Sequence, residues 1–350
     1  MMPRDAADEL HVGCLRQAND PEWDNFVRTQ PLATFFHLSG WKAVIEESLG
    51  HVCHYLLARQ GTRVVGILPL THVRSRLFGN SLISNGFCVY GGPVSDTPAA
   101  LQALDAAAIE LAKDLRVERV EYRLRRPLHP GWHCNRETYV TFRKELDRDP
   151  RKELLAIPRK QRAMVRKGID RGLEGVVDQD VRRFYPLYAE SVRNLGTPVL
   201  SRRYFECLKS VFAKESEIIT VLHAGQPMAS VLSFFFRDEV LPYYGGGSSA
   251  ARQCAANDFM YWEVMRRACE AGLRLFDFGR SKVGTGSFAF KRHWGFAPEP
   301  LHYENYLLRT AKVPEINPLN PKYALMVATW KRLPLGLANV IGPFVARELA

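Results

Sequence analysis

The sequence of 350 residues lacks several patterns that mark common classes of protein. Its seven cysteines are scattered, with no CxxC pair and no Cys/His cluster at the spacing of a zinc site. This argues against a structural zinc site and against a disulfide framework. None of the ten histidines falls into an HExxH or triad-like pattern. No apolar run reaches the roughly 18 residues of a membrane-spanning helix. We therefore expect no metal site and no transmembrane helix.

The composition does provide enough apolar material for packed cores. Hydrophobic residues make up 46% of the chain and charged residues 24%, and the length suggests two domains. Residues 1–13 contain acids and no apolar core, so they do not resemble a signal peptide. Together with the scattered cysteines, this predicts a cytoplasmic protein. A position at the inner face of the membrane is a second interpretation.

The excess of basic residues is concentrated in one segment. The formal net charge is +11, and residues 148–171 contribute nine Lys or Arg against three acids. The segment is predicted to be helical, with Pro158 marking a kink or restart. Helical spacing places Arg159 and Arg162 on one stripe, with Lys160 beside them. Two interpretations stay open: a solvated helix between domains, or a site that binds the phosphates of a donor or of RNA.

The same order of predicted elements occurs twice along the chain. Each copy has two β-rich runs joined at a glycine turn, then a third strand, a helix, a further strand and a late strand. The first copy comprises residues 51–75, 81–94, 97–115, 117–125 and 138–146, and the second comprises residues 216–239, 239–249, 255–272, 273–280 and 301–309. This order predicts an α+β fold in which helices pack on a mixed sheet of α/β type. Two such domains would leave a groove for a ligand between them.

The third strand of each copy ends in a tyrosine followed by glycines, at Tyr90–Gly92 and at Tyr244–Gly247. Glycines placed after a strand let backbone N–H groups approach an anion or a carbonyl oxygen closely. The alternative is that these glycines only turn the chain. Their recurrence in both copies favours the first interpretation.

Three stretches of the chain resemble a known family. Residues 243–281, YYGGGSSAARQCAANDFMYWEVMRRACEAGLRLFDFGRS, are similar to the strand–helix–strand core of the FemAB-related transferases. Residues 284–308 resemble the family's pattern of a glycine, then Phe-Lys, then Trp-Gly, and residues 157–173 resemble its interdomain basic helix. The most similar subgroup is the one associated with PEP-CTERM and exopolysaccharide systems, whose tail resembles residues 317–350.

The resemblance implies two tandem GNAT-like (acyl-CoA N-acyltransferase fold) domains, at residues 1–147 and 173–310. A basic linker helix at 148–172 would join them, and a C-terminal helical tail would occupy 311–350. The implied activity is N-acyl or aminoacyl transfer to an amine of a cell-envelope or exopolysaccharide precursor, either a small molecule or a lipid-linked acceptor.

The identity of the donor stays open between acyl-CoA and aminoacyl-tRNA. The loop after Tyr244, GGGSSAARQCAAN, has glycines but not the Arg/Gln-x-x-Gly-x-Gly/Ala order with which single-domain acetyltransferases hold the coenzyme A pyrophosphate. The peptidoglycan members of the family use aminoacyl-tRNA, so tRNA is a further expected partner. DNA is not expected to bind.

Forming an amide requires an amine that loses a proton, a stabilised oxyanion and two aligned substrates. The resemblance assigns charge stabilisation to Lys291; the alternative is a surface lysine that packs on Trp294. Asp277 ends a predicted strand and is a candidate to orient or deprotonate the amine. Arg280 is a candidate to bind a carboxylate or phosphate. Asp277 and Arg280 could instead form an ion pair with each other.

Two tyrosines and an interdomain anion site complete the predicted site. Tyr243 and Tyr244 alternate across a strand, so one would face the core and the other the substrate, although aromatic residues in strands are mostly packing. We assign Tyr244 to catalysis, and Tyr243 and Trp294 to substrate binding. The phosphates of the donor would be held by the basic residues Arg159, Lys160 and Arg162.

Other functions are compatible with the sequence. A catalytically silent scaffold would keep the fold and bind partner enzymes. An RNA-binding protein would use the basic segment 148–171, which lacks the interleaved aromatic residues of RNA modules. The tail at 318–349 mixes apolar stretches with Lys331, Arg332 and Arg347. We expect the tail either to pack over the first domain or to adsorb to anionic lipid.

Overall fold

A computed structural model describes residues 9–75, 79–310, 313 and 321–349. Within these residues the strands are β1 (Leu10–Cys14), β2 (Val52–Gln60), β3 (Arg63–Ser75), β4 (Gly79–Ser84), β5 (Val94–Ser95), β6 (Arg119–Leu124), β7 (His133–Asn135), β8 (Tyr139–Glu145), β9 (Glu174–Asp178), β10 (Ser216–His223), β11 (Gln226–Phe236), β12 (Glu239–Gly247), β13 (Leu275–Asp277), β14 (Ser281–Lys282), β15 (Pro298–Pro300) and β16 (His302–Leu307).

The helices in the same part of the chain are α1 (Pro21–Thr29), α2 (Gly40–Leu49), α3 (Pro98–Asp114), α4 (Pro150–Ala156), α5 (Arg159–Asp170), α6 (Phe184–Leu195), α7 (Arg202–Val211), α8 (Ala251–Cys254), α9 (Ala256–Glu270), α10 (Gly286–His293), α11 (Pro321–Arg332) and α12 (Leu335–Ala346). The chain divides into two compact units. The first unit comprises Met1–Arg136, Leu301–Glu315 and Arg347–Ala350, and the second comprises Glu137–Pro300 and Ile316–Ala346.

The first unit is built on a mixed sheet with the strand order β1-β2-β3-β4-β6-β16-β7. All neighbours in this order are antiparallel except β4 and β6, which are parallel. Helix α3 begins at Thr97, whose side chain accepts a hydrogen bond from the Ala100 N–H. Its buried side recurs every four residues, at Ala100, Leu104, Ala108 and Ala112, and packs in one core with Val120 and Tyr122 of β6.

The second unit has a sheet with the order β14-β8-β13-β12-β11-β10-β9, in which β12 and β13 are parallel. Helices α6 and α9 lie on opposite faces of this sheet. A Cβ added at Gly246 would contact Tyr188 of α6, whereas one added at Gly245 would contact Tyr261 of α9. The mixed α/β architecture expected from the sequence is therefore confirmed in both units.

The late strand of each sequence copy lies in the sheet of the other unit. They form where predicted, as β8 and β16, but β8 pairs with β13 in the second unit and β16 pairs with β6 in the first. The units therefore do not follow the expected boundaries at residues 147 and 310. The periodicity of a strand shows that it forms, whereas its neighbour in the sheet depends on side chains distant in sequence.

The basic segment is part of the second unit rather than a separate linker. It forms two helices, α4 and α5, separated at Pro158 as predicted. Ile157 and Val165 are buried in the core of the unit. Helix α5 approaches α9 so closely that a Cβ added at Gly168 would lie 2.8 Å from Cβ of Phe259. Leu155 of α4 is exposed.

Helices α11 and α12 of the tail pack on the second unit, not over the first domain as one expectation had it. Residues 347–349 belong to the first unit, where the Arg347 carbonyl oxygen lies 2.8 Å from Nε2 of His51. A Cβ added at Gly196, which ends α6, would lie 2.5 Å from Cγ1 of Val327 in α11. Helix α12 contacts the same helix α6. None of the helices in the described residues is both long and apolar enough to cross a membrane.

Candidate active site

Strands β12 and β13 part from each other inside the second unit. Their parallel pairing covers only Glu239 with Leu275 and Val240 with Phe276, whereas β12 continues beside β11 as far as Gly247. Between these points the β11 pairing shifts by one residue, so that Tyr243 forms a β-bulge. Bulges bend a strand and re-aim its side chains, and they are frequent next to active sites. Beyond Val240 the two strands are therefore no longer paired, and we call the region between them the opening between β12 and β13.

Lys291, the predicted charge-stabilising residue, lies buried beside this opening. Only 9% of the residue is exposed. Its Nζ donates hydrogen bonds to the carbonyl oxygens of Gly279 (2.9 Å) and Arg280 (3.0 Å), just past the end of β13. Nζ also lies 5.7 Å from the ring centroids of Phe142 and Phe278. The alternative of a surface lysine packed on Trp294 is therefore wrong.

The environment of Lys291 lowers the pKa of its ammonium group to about 7. The main cause is burial, which disfavours the charged form; nearby Arg280 lowers the pKa further, and Asp277 acts in the opposite direction. A pKa near neutrality lets the group change protonation state under ordinary conditions, as groups in active sites do.

Asp277 is buried and bound by groups of its own unit. Its carboxylate accepts hydrogen bonds from Thr141 Oγ1 (3.1 Å) and from the Gly279 N–H (2.8 Å), and it lies 3.3 Å from Nε of Arg143. Arg143 of β8 is thus an ion-pair partner of Asp277. The contacts hold the turn after β13, from which the carbonyl oxygens for Lys291 project.

Arg280 and Lys282 lie close together, just after the end of β13. Their cationic groups are 4.6 Å and 5.3 Å from the ring centroid of Tyr139. Burial, and then the charge of Arg280, lower the pKa of Lys282 to about 8. With Lys291 nearby, the structure brings three cations to the end of β13, where a negatively charged group of a substrate would be stabilised. Sequence reasoning missed Lys282, although its place two residues after Arg280 was a usable signal.

Tyr261 of α9 is the second residue that sequence reasoning missed. Its hydroxyl group lies 2.9 Å from an ideal Cβ built on Gly245 of β12, and its ring is 4.7 Å from that of Phe278, which follows β13. The side chain therefore spans the opening between the two strands. Burial, with a further contribution from Asp258, raises the pKa of Tyr261 to about 12. The hydroxyl is consequently protonated at neutral pH and able to donate a proton or a hydrogen bond.

The two predicted tyrosines differ in burial, and the one assigned to catalysis is the more buried. Tyr244, assigned to catalysis, is buried in an aromatic cluster on the α6 and α7 side, where its hydroxyl lies 2.8 Å from that of Tyr204. Burial raises the pKa of Tyr244 well above its usual value. Tyr243, at the bulge, is half-buried and contacts Phe234.

Trp294, predicted to bind substrate, is a core residue. It is 1% exposed, follows α10 directly and packs against Tyr261, Phe278 and Phe290. Nearby, burial raises the pKa of Asp258 to about 6, against lowering contributions from Gln161 and Trp294. Trp294 therefore supports the residues around the opening and does not offer a surface to a substrate.

The three basic residues predicted to hold the donor's phosphates do not act as one group. Arg159 and Lys160 are exposed at the start of α5. Arg162 instead folds back, and its Nη1 donates to the carbonyl oxygen of Leu155 (2.6 Å) near the end of α4. Arg162 thus caps a neighbouring helix, while the other two remain candidates for anion binding.

The glycines of Tyr244–Gly247 serve close packing within the unit. They are the last residues of β12, not a loop after it. A Cβ at Gly246 would lie 2.9 Å from Cα of Tyr188, and one at Gly247 would lie 2.5 Å from Oδ1 of Asn257. Close packing thus accounts for Gly246 and Gly247, whereas Gly245, facing the Tyr261 hydroxyl, is the member that borders the opening.

In the first unit the equivalent position, after the parallel strands β4 and β6, is filled by the chain itself. Residues 85–92 are buried there, apart from half-buried Phe87. Arg123 of β6 donates through Nη1 to the carbonyl oxygen of Cys88 (2.7 Å), and the Tyr303 hydroxyl donates to that of Val89 (3.0 Å). A Cβ at Gly92 would lie 2.0 Å from Cδ2 of Leu124. In the described part of the first unit, this point is therefore occupied by residues 85–92.

Two surface hollows also lie in the first unit. One, of about 350 Å³, is lined by residues of α1 and β3 together with Asp96, and the other, of about 400 Å³, by the end of α3 and residues 306–309. Neither hollow includes a predicted site residue. The cluster around Lys291 is thus the arrangement in the described residues that best matches the predicted chemistry.

Comparison with known proteins identifies the second unit. Residues 159–292 match the acetyltransferase (GNAT) domain family, a range that includes β12, β13, Tyr261 and Lys291. No curated protein sequence matches the chain. Residues 159–292 of the second unit are therefore similar to a GNAT acetyltransferase domain, which supports an acyltransferase.

Solved structures share the fold over most of the chain. FemX is 16% identical with a TM-score of 0.68, over 90% of this chain and 100% of its own. A tandem GNAT protein from the clavulanic acid biosynthesis pathway is 15% identical with a TM-score of 0.54, over 85% and 98%. The C-terminal domain of a protein described as a lysylphosphatidylglycerol synthetase, from Agrobacterium fabrum, is 15% identical with a TM-score of 0.54, over 88% and 94%. The tandem GNAT fold expected from the sequence is confirmed.

Proposed function

We propose that this protein is a FemAB-type N-acyltransferase or aminoacyltransferase, which forms an amide on an amine of a cell-envelope or exopolysaccharide precursor. The observation that supports this most directly is the match of residues 159–292 to the GNAT acetyltransferase domain, because that range contains the opening between β12 and β13 and the buried Lys291. The names of two fold neighbours, FemX and a lysylphosphatidylglycerol synthetase, are compatible with acceptors of the cell envelope.

In this proposal Lys291 stabilises the oxyanion formed when the amine attacks the donor carbonyl. An ammonium group has three N–H donors, and two of them are used by the carbonyl oxygens of Gly279 and Arg280. These two bonds fix the direction of the third, which is free for the oxyanion. A preorganised donor in a buried site contributes about 3–4 kcal/mol to catalysis.

Tyr261 completes the reaction by donating its hydroxyl proton to the departing sulfur or oxygen as the bond to the acyl carbon breaks, and the resulting phenolate takes the proton that the attacking amine loses. Its hydroxyl borders the opening beside Gly245 and stays protonated, because its pKa is about 12. Asp277 is a positioning residue, because it holds the turn whose two carbonyl oxygens accept hydrogen bonds from Lys291. Arg280 and Lys282 bind an anionic group of the acceptor, such as a carboxylate or phosphate.

The donor is acyl-CoA or aminoacyl-tRNA, and the acceptor is a small molecule or a lipid-linked precursor. The GNAT domain match favours acyl-CoA, whereas the glycine order after β12 differs from the usual pyrophosphate loop. Membership of a PEP-CTERM and exopolysaccharide system is part of the same proposal and comes from the resemblance of the sequence.

The test is amide formation on a panel of amine acceptors, with acyl-CoA or aminoacyl-tRNA as donor, in the wild type and in Lys291→Met. We expect Lys291→Met to reduce kcat/KM about 10²- to 10³-fold, with thermal stability nearly unchanged. Lys209→Met is a matched control, because Lys209 also donates to two backbone carbonyl oxygens, those of Ser216 and Ala213, in the same unit. The control should keep wild-type kcat/KM.

The pH profile separates two roles for Lys291. A charge-stabilising ammonium is lost as pH rises through its pKa of about 7, so the Lys291-dependent rate should fall above neutral pH. A rate that instead rises through the same pH would assign the role of general base. Full activity in Lys291→Met would refute any direct role, and a wild type inactive with every donor would favour the scaffold interpretation.

A further inference from the structure

Helix α12 is inverted relative to an ordinary amphipathic helix. Its exposed side carries large apolar residues at the spacing i, i+3, i+4 and i+7, namely Leu337 (44% exposed), Val340 (65%), Ile341 (39%) and Phe344 (63%). Residues at this spacing share one face of a helix. The side that packs on the unit carries only small residues, at Ala338, Gly342 and Ala346. The helix therefore presents its most apolar face to the outside.

The inward packing depends on this inversion. A Cβ added at Gly342 would lie 3.0 Å from the backbone nitrogen of Val199 and 3.1 Å from its carbonyl oxygen. A large side chain on this side would push α12 off the unit, so the helix cannot simply roll over to bury its apolar stripe. The outward face is consequently a built feature of the fold, and contiguous exposed apolar surface of this kind marks an interaction site.

Charge determines which partner this face fits best. Residues 321–346 contain three Lys or Arg and no Asp or Glu. Lys331 and Arg332, at the end of α11 just before α12, are both exposed. An apolar helix face accompanied by cations and no acids is the pattern of helices that lie at the interface of anionic membranes. A second copy of this chain would bring another net charge of +11 to the same surface.

We propose that α12 docks the protein on an anionic membrane surface, with Leu337, Val340, Ile341 and Phe344 inserted between lipid headgroups. Lys331 and Arg332 then contact the anionic headgroups from the end of α11. The helix has 12 residues and lies in the plane of the interface. The docking uses none of the residues of the proposed reaction, so it holds or fails independently of the activity.

The experiment is flotation of the full chain with vesicles of phosphatidylcholine that contain about 30% phosphatidylglycerol, compared with vesicles of phosphatidylcholine alone. We expect binding to the anionic vesicles, and at least a tenfold lower partition coefficient for the double variant Val340→Asp/Phe344→Asp. A matched control, Leu32→Asp/Leu155→Asp, removes two equally exposed apolar side chains elsewhere and should bind as the wild type does.

A second pair of variants tests the charges without touching the apolar face. Lys331→Gln/Arg332→Gln should weaken binding to anionic vesicles severalfold, and Arg203→Gln/Lys214→Gln, which removes two exposed cations elsewhere, should have less effect. The proposal is overturned if the wild type does not float, or if Val340→Asp/Phe344→Asp floats like the wild type. It is also overturned if light scattering without vesicles shows a dimer that this variant dissociates, because the face then belongs to a second copy.

Discussion

The two units build the same succession of strands and helices and differ where their parallel strands end. In the first unit, residues 85–92 occupy the space beyond β4 and β6, and Arg123 and Tyr303 tie them in place. In the second unit, β12 leaves β13 after Val240, and the space is bordered by aromatic side chains and cations. The comparison teaches that one fold can place a closed core and an opening between strands at equivalent positions.

Glycine has a different consequence at the two positions. In the first unit, a Cβ at Gly92 would overlap the Leu124 side chain at 2.0 Å, so glycine here lets two segments close on each other. In the second unit, a Cβ at Gly245 would meet the Tyr261 hydroxyl at 2.9 Å. Glycine here leaves room for a polar group that borders the opening. Glycine thus allows close packing in the first unit and borders the opening in the second.

The largest expected effect concerns residues 85–92 of the first unit and the side chains that bind them. Arg123 is 3% exposed, and its Nε donates to Oε1 of buried Glu121 (2.9 Å) while Nη1 binds the Cys88 carbonyl oxygen. Arg123→Met would leave Glu121 without its main cationic partner, and removing one partner of a buried pair costs about 3–5 kcal/mol. We expect this loss in the free energy of unfolding by urea, with acyl transfer per folded molecule unchanged.

Arg119 of the same strand provides the control for Arg123→Met. It is similarly buried but reaches Glu121 only at 3.5 Å, and two of its guanidinium nitrogens, Nε and Nη1, have no hydrogen-bond partner in the described residues. Arg119→Met should therefore destabilise much less than Arg123→Met. Equal losses in the two variants would mean that the tie to residues 85–92 is not what stabilises the first unit.

The next effect belongs to the opening of the second unit. Tyr261→Phe removes the hydroxyl beside Gly245 and keeps the ring contacts with Phe278 and Trp294. If the hydroxyl acts as general acid, kcat should fall about 10²-fold, with little change in stability. Tyr185→Phe removes a half-buried hydroxyl bonded to the Leu200 carbonyl oxygen and should leave kcat unchanged. A Tyr261→Phe enzyme with normal kcat would refute the role of Tyr261 as general acid.

The sequence predicts the elements better than it predicts their neighbours. Both late strands, the break at Pro158 and the order of each copy follow from local periodicity and from proline and glycine. The exchange of β8 and β16 does not, because it depends on contacts such as Arg143 with Asp277, which are far apart in the chain. A strand pattern contains no information about which distant carboxylate its arginine will meet.

The site was predictable only in part, for a similar reason. Lys291 stood out through the family resemblance, and the structure buries it beside the opening. Tyr261 lies in the apolar pattern of a helix and is indistinguishable there from a core aromatic residue. Trp294 is also aromatic and gives no different signal in the sequence, but it is a core residue. Only the bulge in β12 and the parting from β13 determine which aromatic side chains border the opening.

The smallest expected effect concerns the contacts that hold β16 in the first unit and β8 in the second. In the first unit, His129 binds Oε2 of Glu304 in β16 through Nδ1 (2.8 Å) and Oδ2 of Asp105 in α3 through Nε2 (3.0 Å). Burial alone would lower the pKa of His129, but the two carboxylates outweigh it and raise the pKa to about 9. In the second unit, β8 is held by Arg143, and an arginine does not titrate in this range.

Because the folded pKa of His129 exceeds its unfolded value of about 6.5, its contribution to stability is complete below that pH. The contribution is lost as pH rises through about 9. We expect urea unfolding of the wild type to lose about 1–2 kcal/mol across this window, allowing for partial exposure. His129→Gln should lack that component, and His133→Gln, at an exposed position of the same unit, should retain it. If the wild type and His129→Gln respond to pH alike, the imidazolium of His129 does not hold β16.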